Sequence, residues 1–199
     1  MMQEFWNDRY SQEAMVYGSE PNTFFREQLK LLEPGKLLLP AEGEGRNAVY
    51  AALKDWQVQA FDYSDAGREK AMRLAEQCGV SINYRLSDAE KYTCDPESMD
   101  AIALIYAQFP PALRQSFHKK VVQWLRPGGK IILEAFHPNQ SAHTSGGPKD
   151  VAMLYTAAML RSDFEGLWIE LLEENEIQLN EGTYHQGAGY VTRMVATKP

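Results

Sequence analysis

Two glutamates set inside a glycine turn are the first residues of this sequence that could do chemistry. The stretch 37–52, LLLPAEGEGRNAVYAA, reads as a short apolar strand and a tight turn at Gly43-Glu44-Gly45, then an amphipathic helix carrying Val49, Tyr50 and Leu53. Glycines at a strand–turn–helix junction let bare backbone approach a nucleotide-like ligand. A pyrophosphate at the helix N-terminus would be opposed by the carboxylates of Glu42 and Glu44, whereas a cationic ligand would not.

Further carboxylates and bases lie downstream. Asp62 follows an apolar run, where a carboxylate can accept both hydroxyls of a ribose; its plainer reading is a turn or helix-capping aspartate. Asp88 could accept from an adenine amino group, although Ser87-Asp88 also reads as an ordinary turn. His137, His143 and His185 are potential general bases, with Tyr106 and Tyr184 near them in motif terms. His137 follows a strand directly and so is the best placed of the three; the plainer reading of each is a surface or loop residue. Tyr106, Phe109 and Phe136 read as walls of a small-molecule site, and Met15, Met153 and Met159 as core. Cys78 and Cys94 have no metal-like spacing and imply neither a metal site nor a disulfide framework.

The elements that must position these residues alternate. Strands are expected at 37–39, 58–61, 81–85, 100–106 and 130–136. Ser64 caps a helix over 65–77 that Gly79 stops, and Pro110-Pro111 opens a second reaching 125. Pro127-Gly128-Gly129 turns that helix into the fifth strand. Five such alternations imply an α/β fold with a parallel sheet and helices on both faces. Stretches 167–179 and 189–197 read as two strands joined by a loop over 180–188; with little chain for a crossover, they should be antiparallel. Residues 143–148, HTSGGP, read as a flexible loop, either a lid or a connection. In such a sheet the ligand sits beyond the carboxyl ends of the strands, at the switch in strand order.

At 199 residues and a formal net charge of −7, the chain fits one domain and is poorly suited to nucleic acid or an anionic membrane as its main partner. Arg114, Lys119, Lys120 and Arg126 fall on one helix region, read as a solvated face rather than a basic patch. With no basic, apolar leader at the N-terminus and no apolar run long enough to span a bilayer, the expectation is a soluble, cytoplasmic protein.

The series 37–48, Asp62, Asp88-Ala89, 100–106 and Leu125-Arg126-Pro127-Gly128-Gly129 resembles the ordered motifs of class I S-adenosylmethionine-dependent methyltransferases, over nearly the whole chain. The opening FWNDRYSQEAMVYGSEPNTFF is similar to that of the tellurite-resistance and thiopurine branch. The resemblance implies a Rossmann-like fold: a mostly parallel seven-stranded sheet, helices on both faces and an antiparallel C-terminal strand. It also implies a single domain over 1–199, with a helical cap over the cofactor at 1–33 and a core at 34–199, acting as a monomer or homodimer. The implied cofactor is S-adenosylmethionine and the implied partner a small-molecule acceptor, with sulfur, selenium and tellurium nucleophiles among the candidates.

Carried over by position, Tyr17, Gly18 and Asn22 lie in the opening segment beside the cofactor. Ala41, Glu42, Gly43, Gly45, Arg46 and Asn47 form the turn, with Gly43 and Gly45 lining the methionine end. Asp62, with Tyr63 and Ser64, serves the ribose; Asp88 and Ala89 serve the adenine; and Tyr106 closes the set. Many family members have an acidic residue and a glycine where this chain has Leu39 and Ala41, so Glu42, Arg9 or Tyr10 is expected to serve the amino-group end. Two alternatives stand beside this reading. One is an NAD-linked oxidoreductase, because Asp62 follows Gly43 by about 20 residues. The other is a cofactor-binding module without catalysis.

Overall fold

The computed structural model describes residues 2–199. Seven strands form one sheet in the order β3-β2-β1-β4-β5-β7-β6. They are β1 (Lys36–Pro40), β2 (Gln57–Asp62), β3 (Asn83–Leu86), β4 (Met99–Ile105), β5 (Leu125–Phe136), β6 (Trp168–Glu181) and β7 (His185–Thr197). The first five are parallel, while β7 runs antiparallel to both β5 and β6. The expected Rossmann-like α/β sheet with an antiparallel tail is therefore the observed one, and its strand order reverses between β1 and β4.

Burial explains why these segments pair. Leu37, Leu38 and Leu39 of β1 and Ala101 to Leu104 of β4 are buried on both sides, the pattern of central parallel strands. On one face lie α2 (Thr23–Leu29), α3 (Arg46–Ala52) and α4 (Asp65–Gln77), which bring Phe24, Phe25, Val49 and Ala71 onto Leu37, Leu39 and Ala103. On the other, α5 (Pro111–Trp124) and α6 (Ala157–Asp163) bury Phe117, Val121, Leu160 and Phe164 on Leu38, Ile102 and Ile131. The N-terminal helix α1 (Met2–Tyr10) packs beside α4.

The structure corrects several sequence boundaries. β3 begins at Asn83, not 81, and α3 ends at Ala52, leaving Leu53 half exposed. β5 begins at Leu125: the Pro127-Gly128-Gly129 segment stays in the strand as an irregularity, with pairing jumping from Met99–Leu125 to Ala101–Lys130 and Gly128 at φ +77°. The loop expected over 180–188 is only a turn at 182–184, because Glu181 pairs with His185 and the hairpin continues to its tip. Segment 143–148 is tied down: Ser145 is buried, donates to Ala188 O, and accepts from Gln140 Nε2. Arg114 does not belong to a solvated basic face. It is buried against Asp163, which also binds His118 Nδ1, and so fastens α5 to α6. Lys120 donates to Glu90 O and Arg126 pairs with Asp100. No described helix is long and apolar enough to cross a membrane.

Candidate functional site

The site is built where β1 and β4 end. Ala41, just after β1, and Tyr106, just after β4, both hold left-handed backbone, φ +52° and +53°. Non-glycine residues adopt this region at a cost, and such strain collects at ligand sites. Ala41 therefore keeps the conformation that a glycine would take without strain at that position. The turn continues through Gly43 (φ +59°) and Gly45 (φ +83°). A Cβ at Gly43 would fall 2.5 Å from Tyr10 Oη, and one at Gly45 would fall 2.4 Å from Ala71 Cβ of α4, so both positions require glycine.

The turn's polar groups face three ways. Glu42 accepts from the backbone N–H groups of Asn47 and Ala48, filling the N-terminus of α3 with its own carboxylate; burial pushes its pKa up to about 7. Asp62, at the end of β2, accepts from Gly43 N at 3.2 Å and from Ser64 N at 2.7 Å, and burial raises it to about 6. Tyr84 Oη donates to Gly43 O, fixing the turn from below. Ser64 caps α4 through Gly67 N, as the sequence suggests.

Glu44 points away from the sheet and holds the N-terminal arm. Its carboxylate accepts from Val16 N, Tyr17 N and Lys70 Nζ, and Lys70 also donates to Ala14 O. Arg46 adds bonds to Tyr17 O and Glu20 O and a 2.8 Å ion pair with Glu181. Gly18 (φ +75°) and Gly182 of the β6–β7 turn lie so close that a Cβ on Gly182 would strike Gly18 N at 2.5 Å. Tyr10 covers Gly43 from above, and α1 ties to the β2 end through Asn7–Ser64 and Gln3–Tyr63 contacts.

A second polar cluster continues from the first. Asn22, the cap of α2, receives Phe25 N, donates its own N–H to Asn47 Oδ1, and donates through Nδ2 to Glu134 and Glu181. Glu134, fully buried on β5, also accepts from Arg193 Nε at 2.6 Å. His185 Nδ1 lies 3.2 Å from Glu181 Oε2. Burial opposes ionisation of Glu181, but His185 and Arg46 hold its pKa down to about 2. An ionised carboxylate can only accept, so His185 carries its proton on Nδ1, and Nε2, the accepting nitrogen, lies on the ring edge beside Gly146. Burial holds the His185 pKa below its usual value against the pull of Glu181. The imidazole is walled by Tyr17 (ring centroids 4.6 Å apart), Tyr106 (4.7 Å) and Phe136 (5.2 Å). Tyr106 Oη is buried with no hydrogen-bond partner among the described residues. Burial, followed by the Glu134 and Glu181 charges, raises its pKa well above the usual value.

Tyr17, Gly18, Asn22, Ala41, Glu42, Gly43, Gly45, Arg46, Asn47, Asp62, Ser64 and Tyr106 thus meet at one edge of the sheet. Asp88 turns its carboxylate to its own turn, accepting from Lys91 N and pairing with Lys91 Nζ, which lowers its pKa. Ser87 N does bond Asp62 O, so the Asp88-Ala89 loop adjoins the β2 end. His137 belongs elsewhere: Nδ1 accepts from Asn139 N, Nε2 faces Glu174 at 3.5 Å, and its ring packs on Tyr190. The best-placed histidine by chain position is therefore committed to a turn, whereas His185 lies beside Tyr17 and Tyr106. Sequence reading also missed Glu134, Glu181, Arg193 and Lys70. Glu134 left a trace as the lone charge in the apolar run 131–136, IILEAF.

Residues 40–129 match a family of methyltransferase domains. No curated protein sequence is significantly similar to the chain. Among solved structures, it resembles a protein from work on the conversion of a disulfide bond into a thioacetal group during echinomycin biosynthesis: TM-score 0.79, 19% identity, 100% of this chain and 93% of that one. TehB from Haemophilus influenzae superposes at 0.74 with 16% identity, over 99% of this chain and 67% of that one. An S-adenosylmethionine-dependent methyltransferase from Methanosarcina mazei superposes at 0.71 with 16% identity, over 90% and 98%. Residues 40–129 therefore match the methyltransferase-domain family, within a chain that shares its fold with a solved S-adenosylmethionine-dependent methyltransferase.

Proposed function

We propose that this chain is an S-adenosylmethionine-dependent methyltransferase acting on a small-molecule acceptor. The observation that carries the reading is Asp62: a buried carboxylate at the end of β2, hydrogen-bonded to Gly43 N of the glycine turn and with accepting capacity to spare. The residues fit the cofactor. Asp62 would take the ribose hydroxyls. Gly43, Ala41 and Tyr106 would border the methionine end. The Asp88-Ala89 loop would border the adenine, and residues 1–33 would cap the site. Glu44, Glu134 and Glu181 are each paired with a cation (Lys70, Arg193 and Arg46), whereas Asp62 and Glu42 have no ion-pair partner among the described residues, and their carboxylates suit a sulfonium and an ammonium group.

The cofactor supplies an already activated methyl group, so alignment and exclusion of water are the protein's main contributions. Tyr10, Tyr17 and Tyr106 would exclude water. His185, oriented by Glu181, would accept the proton of a hydroxyl or amine nucleophile; a sulfur, selenium or tellurium nucleophile would not need it.

The oxidoreductase reading is disfavoured by Glu42, whose carboxylate already occupies the α3 N–H groups a pyrophosphate would use. Calorimetry with S-adenosylmethionine, S-adenosylhomocysteine and NADH tests the proposal. The adenosyl ligands should bind and NADH should not, and the reverse result would sink it. Mass spectrometry of an acceptor panel incubated with the donor then checks turnover; donor binding without a methylated product would favour the non-catalytic module.

A further inference from the structure

Segment 143–148 carries two consecutive glycines at positive φ, Gly146 at +116° and Gly147 at +90°. Both are crowded as well as strained for any other residue. A Cβ on Gly146 would fall 2.7 Å from His185 Cδ2, 3.1 Å from its Nε2 and 2.8 Å from Tyr184 O. One on Gly147 would fall 3.1 Å from the Phe136 ring. Bare backbone therefore lies against the Cδ2–Nε2 edge of His185, opposite the Nδ1 edge that faces Glu181.

One buried side chain holds that backbone in place. Gln140 Nε2 donates to Ser145 Oγ and to Gly146 O, both at 3.0 Å, and its Oε1 accepts from Tyr190 N at 2.7 Å. Ser145 Oγ passes its own proton to Ala188 O. The loop is thus fastened to β7 through a single carboxamide, the side-chain group that offers two donors and an acceptor in one plane. A carboxylate of the same shape would turn a lone pair toward Gly146 O. We infer that Gln140 is a positioning residue for His185: it fixes the Gly146 backbone against the Cδ2–Nε2 edge, so that the imidazole is held between Gly146 and Glu181 with Nε2 as its accepting nitrogen. That His185 serves as a base rests on the proposed function; that Gln140 fixes its ring does not.

Nuclear magnetic resonance of the isotope-labelled full chain, with no donor or acceptor added, tests it. Ring nitrogen–proton correlations read the tautomer and the pKa of His185. Wild type should show the Nδ1–H tautomer and a nuclear Overhauser contact between Gly146 Hα and His185 Hδ2. The Nε2–H tautomer, or no such contact, overturns the inference without any variant. Gln140→Met removes the carboxamide without burying a charge, and Gly146→Ala intrudes from the other side of the contact. Each should mix the two tautomers and raise the His185 pKa toward its ordinary value of about 6.5. Glu181, Glu134 and Arg46, the charged groups that face His185, stay unchanged in both. Ser141→Ala, in the same turn but exposed and bonded only to Pro138 O, should leave both signals at their wild-type values. Lower stability in Gln140→Met with an unchanged tautomer and pKa means Gln140 only supports the loop, and the same change in Ser141→Ala means the whole turn responds; both outcomes overturn the inference. With a hydroxyl or amine acceptor, Gln140→Met should also lower kcat by about 10- to 100-fold at unchanged KM. Should wild type transfer no methyl group, the proposed function falls while the ring signals still judge Gln140.

Discussion

Ala41 and Tyr106 leave neighbouring central strands with the same left-handed backbone, φ +52° and +53°. The chain thus turns away from the sheet on both sides of the point where strand order reverses, the place where an open parallel sheet receives a ligand.

That geometry sets a limit on position 41. Ala41→Gly removes the left-handed penalty but loosens the unfolded chain, so stability should change by less than about 1 kcal/mol. Ala41→Val places a β-branched residue at positive φ and should cost about 2 kcal/mol or more. Urea denaturation of both variants checks the contrast; equal stabilities would mean the backbone there is not constrained.

Asp62 is expected to hold the cofactor. Asp62→Ala should weaken S-adenosylhomocysteine binding by about 1–3 kcal/mol, the cost of losing hydrogen bonds to a charged group. Because Asp62 also binds Gly43 N and Ser64 N, Asp62→Asn is the better-folded control and should fall between the two. Unchanged affinity in both variants removes Asp62 from the site.

His185→Gln should lower kcat for a hydroxyl or amine acceptor by about 10²–10³-fold while leaving S-adenosylhomocysteine affinity intact. Burial keeps the wild-type imidazole below its usual pKa, so it remains neutral and competent at pH 7. Wild-type activity should hold steady from pH 8 to 6.5 and fall only in more acid solution. A rate that survives the substitution would point instead to a soft nucleophile that needs no base.

Glu42 makes stability depend on pH. Buried, with a pKa of about 7, it keeps a proton between pH 4.5 and 7 that the unfolded chain has released. Its contribution to stability is therefore largest in acid and disappears as pH rises through 7. Asp62 acts in the same direction up to about pH 6. His118 and His185, both lowered by burial, act oppositely: the unfolded chain gains protons below about pH 6.5 that the fold resists, so their contribution is lost in acid. Glu42→Gln should flatten the profile between pH 5 and 8, removing on the order of 3 kcal/mol of the decline toward high pH. Denaturant midpoints across that range measure it, and parallel curves for the two proteins would refute the assignment.

The order of elements, the glycine turn, Asp62, the Ser64 cap and the antiparallel tail were determined by local pattern: apolar runs, glycine and proline punctuation, and capping residues act within a few positions of themselves. The conflict between Glu42 and a pyrophosphate was also legible, since both compete for the same helix N-terminus. Only the tertiary structure decided which charges meet. Asn22, Glu134, Glu181 and Arg193 are far apart in the chain and converge because β5 and β7 lie side by side under the N-terminal arm. Chain position favoured His137, yet its neighbours Asn139, Glu174 and Tyr190 bind it, while the β6–β7 hairpin carries His185 to Glu181 and Tyr17. Local sequence sets backbone conformation, but ion pairing and burial depend on neighbours that folding alone brings together.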